Sequence, residues 1–391
     1  MPLAAASGWF AAWRSYKRFN QINPRLAPEY FRGLNYLLNE QPDQALDVFL
    51  RLAEDDAKTV EIHFALGGLF RRRGEVERAI RVHQDLLARP LLSVLQRQTA
   101  LLELGRDYMH AGLFDRAESI FQDLLKQRVR ETDATKLLLE VYQRESDWDQ
   151  AIQMAERLTS ANDPEHAAIL AHMYCERAEV WLRRGQPDKA LQSISQALDT
   201  DARSVRATLL LGDTYFKNGD FEKSLRQYLR LFEQEEEFLP EVLPRILQCL
   251  QAGAPLQQFE KQMHRFNRDY RQSYFIRGYV HYLQQQEGLE AARNYLRAAL
   301  TQQPSLYALQ EWLDLEWAEL IKGRDPDAQD PDLLPWRLMI DTLKRVMRNM
   351  PKYQCRHCGY AAKTLHWQCP GCKTWGKLKP LNLTQMDHLS S

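Results

Sequence analysis

Apolar side chains recur at helical spacing along this chain from about residue 28 to residue 320, and no stretch alternates with the two-residue period of a strand. A second, longer rhythm is laid over the first. Gly33-x-x-Tyr36 leads to Ala45, Phe49 and Leu52, and Leu66-Gly67-x-x-Phe70 leads through Gly74 to Ala79 and Leu86. Leu104-Gly105-x-x-Tyr108 leads through Gly112 to Ala117, Phe121 and Leu124, and Leu138-Leu139-x-x-Tyr142 leads to Ala151 and Leu158. Ala178-x-x-Trp181 leads through Gly185 to Ala190, Ile194 and Ala197, and Leu211-Gly212-x-x-Tyr215 through Gly219 to Ser224, Tyr228 and Leu231. A weaker unit carries Ala292, Leu296, Ala299 and a terminating Pro304. The small residues that anchor the second half of each unit stand at 45, 79, 117, 151, 190, 224 and 292, spaced by 34, 38, 34, 39, 34 and 68.

A 34-residue helix–turn–helix period is that of the tetratricopeptide repeat. The doubled last interval predicts a degenerate unit near Gln258 with its turn at Gly253, and the longer intervals predict short insertions between hairpins. Gly67, Gly105 and Gly212 each cost about 1 kcal/mol inside a helix, so close packing must offset them. Gly74, Gly112, Gly185 and Gly219 fall where a left-handed residue ends the first helix. Glu75, Asp115, Asp188 and Asp220 then place acid at the start of the second, where the helix dipole favours it. A single hairpin cannot bury both its apolar faces. The pattern therefore predicts an all-α superhelix of about eight stacked units over residues 28–320, with first-helix side chains on a concave, partner-facing surface.

Beyond this array the composition changes. Residues 322–335 hold three prolines and four aspartates and read as a linker; Trp336 to Asn349 then reads as one amphipathic helix. Leu338, Leu343, Val346, Met347 and Met350 lie on or near one side of it, and it is expected to dock the C-terminal module onto the superhelix.

That module, residues 351–391, carries the chain's one site with chemistry. Four of the six cysteines form two Cys-x-x-Cys knuckles, Cys355/Cys358 and Cys369/Cys372, ten residues apart. Two intervening residues let both thiolates of a knuckle reach one ion while backbone amides donate to the sulfurs. Gly359 and Gly371 are expected to supply the backbone freedom of such turns. Four thiolates select one tetrahedral ion, zinc or iron. A metal that folds a segment too short to build its own core is favoured over electron transfer. With four sulfurs filling the shell, His357 and His366 are expected to lie outside it. Tyr353, Tyr360, Trp367 and Trp375 are expected to form the module's miniature core; stacking of these aromatics on single-stranded nucleic acid is the lesser alternative. Cys175 and Cys249 stand alone in helical stretches and read as small buried residues.

Composition and charge narrow the function further. The chain is 391 residues long, 45% hydrophobic and 27% charged, with 52 basic against 52 acidic residues, so no global field favours nucleic acid or membrane. Both ends are locally basic: Arg14, Lys17, Arg18, Arg25 and Arg32 face one acid, Glu29, and Lys352, Arg356, Lys363, Lys373, Lys377 and Lys379 face Asp387. Residues 1–13 are uncharged and contain Trp9, Phe10 and Trp13. They are too short to cross a bilayer, which takes ~20 apolar residues, and read as the inner end of a membrane anchor with positive charge on the cytoplasmic side, within a juxtamembrane segment 1–20. No phosphate-cradling loop, His-Glu-x-x-His or nucleophile elbow is present, and Glu235-Glu236-Glu237 reads as a charged turn between units. The chain reads as a non-enzymatic scaffold.

The repeats in register with YQCRHCGYAAKTLHWQCPGCKTW resemble the lipopolysaccharide assembly protein B family of Gram-negative bacteria, and LNYLLNEQPDQALDVFL, LFRRRGEVERAIRVHQ and LGRDYMHAGLFDRAE extend the likeness over nearly the whole chain. The resemblance implies a rubredoxin-like module with Cys355, Cys358, Cys369 and Cys372 as metal ligands. It also implies an inner-membrane protein facing the cytoplasm, an adaptor between the protease FtsH and the deacetylase LpxC that holds lipid A synthesis in check by promoting LpxC degradation. Other lipopolysaccharide-assembly proteins are implied as partners, and nucleic acid is not. The family begins with a full transmembrane helix, of which only the last half has a counterpart here. An RNA-binding scaffold using the basic knuckle, or a redox-active rubredoxin-like protein, are the alternatives.

Overall fold

The computed structural model describes residues 27–39, 41–55, 60–90, 92–158, 163–267, 276–302, 305–322 and 331–381. The expected anchor at residues 1–20 lies outside them. Among the described residues no helix is long and apolar enough to cross a membrane. The chain divides into two compact units, residues 1–158 and 159–391.

The first unit is built from four helical hairpins: α1 (Ala27–Leu38) with α2 (Pro42–Asp55), α3 (Val60–Arg72) with α4 (Val76–Leu87), α5 (Val94–His110) with α6 (Phe114–Lys126), and α7 (Glu131–Glu145) with α8 (Trp148–Leu158). The second holds four more, α9 (Pro164–Arg183) with α10 (Pro187–Thr200), α11 (Val205–Lys217) with α12 (Phe221–Gln234), α13 (Leu239–Gln251) with α14 (Leu256–Asn267), and α15 (Ile276–Gln286) with α16 (Leu289–Gln302). Helix α17 (Leu306–Leu320) packs on the last hairpin and α18 (Leu334–Asn349) on α17. A small three-stranded ribbon of β1 (Tyr353–Cys355), β2 (Ala361–Ala362) and β3 (Leu378–Pro380) follows.

The glycines explain how each hairpin closes. Gly74, Gly112, Gly185 and Gly219 have φ of 79°, 74°, 69° and 82°, the left-handed conformation expected of them. In each turn two backbone amides bond back into the helix just ended, as Gly74 N–H does to Arg71 O (3.0 Å) and Glu75 N–H to Phe70 O (2.9 Å). The α7–α8 turn reaches the same geometry through Ser146, with φ of 59°. The α13–α14 hairpin turns at Gly253, φ 100°, where the degenerate unit was placed; its buried side chain is Phe259, beside the half-buried Gln258.

The helix-interior glycines make room for a ring sixteen residues further on. A Cβ at Gly105 would stand 2.4 Å from the ring of Phe121, one at Gly212 2.4 Å from that of Tyr228, and one at Gly33 2.7 Å from that of Phe49. No real Cβ contact is that short, so these positions exclude every other residue while the ring stays in place. At Gly67 the ring is a histidine, His83, 2.4 Å from such a Cβ. His83 and Asp107 are both fully buried. His83 Nδ1 bonds the Asp107 carboxylate, which also accepts from Arg71 Nη1 (2.6 Å), while Arg71 Nη2 pairs with Glu103 (2.6 Å). The second hairpin thus keys to the third through a buried cluster of charged and hydrogen-bonded side chains. The anchor Ser224 is equally buried, and its hydroxyl donates to Gly212 O at 2.8 Å.

Helix α18 joins the repeat array to the ribbon. It begins at Leu334, with Pro335 in its first turn, and pairs with α17 through Lys344 and Asp314 at 2.9 Å. It buries Ile340 alone, leaving Leu334, Leu338, Met339 and Val346 exposed. The ribbon also meets the helices through its own side chains.

Candidate metal centre and its seat on the helices

The ribbon is too small for a conventional core. Strand β1 lies between β2 and β3, antiparallel to both, with Tyr353 opposite Ala362 and Cys355 opposite Leu378. Tyr353, Cys355, Ala362, Cys369 and Leu378 are the buried cluster, two of its five members being candidate ligands.

The two knuckles repeat one backbone design. In the first, Gly359 N–H bonds Cys355 O (2.9 Å) and Cys355 N–H bonds Tyr360 O (2.8 Å); in the second, Lys373 N–H bonds Cys369 O (2.9 Å) and Cys369 N–H bonds Thr374 O (2.9 Å). Gly359 takes φ of 75°, as expected, but its counterpart is Lys373, at φ 61°, and not Gly371. The expectation for Gly371 is corrected accordingly. That glycine keeps space beside the first knuckle, since a Cβ there would lie 3.5 Å from Cys358 Sγ and from Tyr360 Cβ.

All four sulfurs lie within 4.8 Å of one another. Cys355 and Cys372 Sγ are 3.7 Å apart, and so are Cys358 and Cys369 Sγ. Four sulfurs at ~2.3 Å from a tetrahedral centre stand ~3.8 Å apart, so the donor set fits one ion of zinc or iron size. Hydrogen bonds from the Thr374 hydroxyl and backbone pull the Cys372 thiol down to about 6. The Tyr360 amide acts the same way on Cys358, yet burial and the three neighbouring thiols push it up to about 12. Four thiols this close compete for negative charge, and a cation at their centre relieves that competition. His357 and His366 are exposed, outside the cluster.

Two faces of the ribbon meet the helices of the second unit. Trp375 stacks on His172 of α9 (5.4 Å between ring centres), and Trp367 lies 5.9 Å from the same ring. Trp367 also stacks on Phe238 (5.6 Å), in the single 3-10 turn Glu236–Phe238 before α13, with the Arg206 guanidinium 5.8 Å from its ring. Both tryptophans therefore serve the seat, not the miniature core assigned to them; of the four aromatics Tyr353 alone joins that cluster, and Tyr360 is exposed. The acidic run at 235–237 is also more than a charged turn. Glu235 pairs with Lys379 and Glu237 with Arg356 (3.1 Å), while Glu241 accepts from the Tyr353 hydroxyl and Glu165 pairs with Lys377 at 3.3 Å. Three basic residues of the ribbon, Arg356, Lys377 and Lys379, are answered by acids of the scaffold.

His172 is the buried key of the seat. Its Nε2 would lie 2.9 Å from a Cβ at Gly376, whose φ of 64° already favours glycine. Burial, with help from Arg206 and Lys379, lowers its pKa to about 3, so it is neutral. Arg206, also buried, is held by Glu176 (2.9 Å) and Glu179 (2.7 Å). Neither His172 nor Phe238 is visible in the sequence as a site residue. Each sits at an ordinary helical or turn position, and only folding brings the ribbon to it.

A repeat scaffold carrying a four-cysteine ribbon of rubredoxin type is thus the class that fold and site define. A tetratricopeptide repeat model matches residues 32–90, 102–167 and 175–236, and a rubredoxin metal binding domain model matches 353–380. The chain is 33% identical to lipopolysaccharide assembly protein B of Escherichia coli (strain K12) over 384 residues, covering 97% of this chain and 96% of that one. It is 29% identical to the protein of the same name from Haemophilus influenzae over 394 residues, 98% of this chain and 97% of that one. The chain belongs to the lipopolysaccharide assembly protein B family.

Proposed function

We propose that this protein is a non-catalytic regulatory adaptor that adjusts lipopolysaccharide levels from the cytoplasmic face of the inner membrane. In this reading Cys355, Cys358, Cys369 and Cys372 hold one zinc or iron ion whose role is to fold the ribbon. The folded ribbon completes the second unit, and the repeats carry the protein partners. Following the family resemblance, those partners are the protease FtsH and its substrate LpxC, and the outcome is faster removal of LpxC. The observation that carries the reading is the ribbon's seat: four sulfurs at single-ion spacing, with tryptophans and lysines on both sides of the site committed to α9, α11 and the turn before α13. A metal held this way acts as a structural clamp on a protein-binding scaffold.

The test is replacement of Cys355 and Cys358 by serine in cells that depend on this protein. The expected result is loss of bound metal, a longer LpxC half-life and raised lipopolysaccharide. An unchanged LpxC half-life in cells where the variant has lost its metal would refute the adaptor reading.

A further inference from the structure

The second unit contains a cleft of about 1050 Å³ beside the ribbon's seat, which borders it at the Tyr353–Glu241 bond. Its floor is Leu243 and Leu247 of α13 with Gly278 of α15. One wall is Tyr307 of α17 and Met347 of α18; the other is Tyr353 and Leu381 of the ribbon. The cleft is therefore shaped by three parts that the sequence treats as separate: repeat, linker helix and metal module.

Its rim is cationic. Arg348, Lys352 and Lys363 line the mouth, all three are exposed, and among the described residues none of them forms an ion pair. Lys344, also on the rim, is paired with Asp314. Two carboxylates share the lining, Glu241 and Glu311. Both have partners, Glu241 in Arg245 (3.6 Å) and the Tyr353 hydroxyl. What is left to a ligand is an apolar trough bordered by three unanswered positive charges.

We propose that this cleft is a docking site for an acidic amphipathic segment of a protein partner, its apolar side chains in the trough and its carboxylates on Arg348, Lys352 and Lys363. Apolar grooves take the hydrophobic stripe of a peptide, and rim charges set which sequence is accepted. The aliphatic floor favours a peptide over single-stranded nucleic acid, which needs exposed aromatic platforms; of the two tyrosines in the lining, Tyr353 is buried with its hydroxyl tied to Glu241, and Tyr307 is half-buried. The proposal rests on the adaptor reading and gives one of its partners a chemistry.

The experiment uses the metal-loaded full chain and two labelled synthetic peptides, one with leucines at helical spacing and glutamates between them, the other with lysine for each glutamate. Fluorescence anisotropy should show the acidic peptide binding at least tenfold more tightly than the basic one, and progressively less as salt rises. In the variant Arg348→Glu, Lys352→Glu, Lys363→Glu, with metal content verified, that preference should reverse. Equal affinity of the acidic peptide for the variant and the natural chain would overturn the proposal. So would tighter binding of a single-stranded RNA oligonucleotide at the same rim, or a tenfold gain in peptide affinity on removing residues 382–391, which would make the chain's own tail the occupant. Lipopolysaccharide levels in cells carrying the triple variant separate the two ideas. Normal levels would dismiss the cleft and leave the adaptor standing, whereas failure of the natural chain to restore those levels would dismiss the adaptor.

Discussion

The hairpins and the ribbon solve the same problem, burial of apolar surface in a small unit, by opposite means. Each hairpin is one of a series, and its rings fit glycines of its own partner helix, as Phe121 fits Gly105 and Tyr228 fits Gly212. The ribbon has no such partner. Its buried cluster is five residues, two of them cysteines, and its largest rings are spent on the scaffold, against His172 and Phe238. A hairpin is held by shape repeated many times; the ribbon has four sulfurs at single-ion spacing and one seat. Stability of the first kind degrades gradually with substitution, and stability of the second fails at once.

The contrast can be broken first at the seat. His172 is neutral beneath the seated ribbon, with a pKa of about 3, and loss of the ribbon's burial and of Lys379 raises it towards the ordinary value near 6.5 on release. The released form binds protons more readily, so seating is at full strength above about pH 6.5 and weakens as the pH falls towards 3. The groups that oppose its protonation are Arg206 and Lys379, themselves paired with Glu176, Glu179 and Glu235. The full effect at the acid end is on the order of 4 kcal/mol. Tryptophan fluorescence against pH, with metal content followed in parallel, should show release beginning while metal is still bound; His172→Asn should remove that phase.

A smaller loss is expected within the hairpins. Alanine is a better helix former than glycine by about 1 kcal/mol, yet Gly105→Ala should destabilise the chain, because its Cβ would meet the Phe121 ring at 2.4 Å. Overpacking of this kind costs about 1–3 kcal/mol net, and thermal unfolding would measure it. A higher melting temperature for Gly105→Ala would show that the ring moves aside freely. The smallest effect, and of opposite sign, belongs to the second knuckle. Lys373 sits at φ 61°, where the first knuckle has Gly359, so Lys373→Gly should raise resistance of the ribbon to chelators by about 1 kcal/mol.

The same contrast explains what the sequence reveals. The hairpins were legible because a 34-residue period states the same requirement many times, down to which glycines turn left-handed. The four cysteines were legible as a cluster because their spacing is local. The seat was not. Trp367 and Trp375 looked like a core because aromatics near a knuckle usually are one, and nothing in the chain marks His172 or Phe238 as their partners, some two hundred and one hundred and thirty residues away. Glu235 and Glu237 looked like a solvated turn for the same reason, since their partners Lys379 and Arg356 are remote in sequence. Lys373 was missed because a left-handed lysine carries no compositional sign. His83 was within reach: it stands sixteen residues after Gly67, where the neighbouring hairpins carry an aromatic ring.

In the proposed reading, one ion folds the ribbon and thereby seats it on α9, α11 and the turn before α13. Hydrogen exchange on the full chain before and after removal of metal by a chelator tests it most directly. The account predicts that protection disappears over residues 353–380 and falls around His172 and Phe238, while the hairpins of the first unit keep theirs. Undiminished protection of the ribbon in metal-free protein would contradict it.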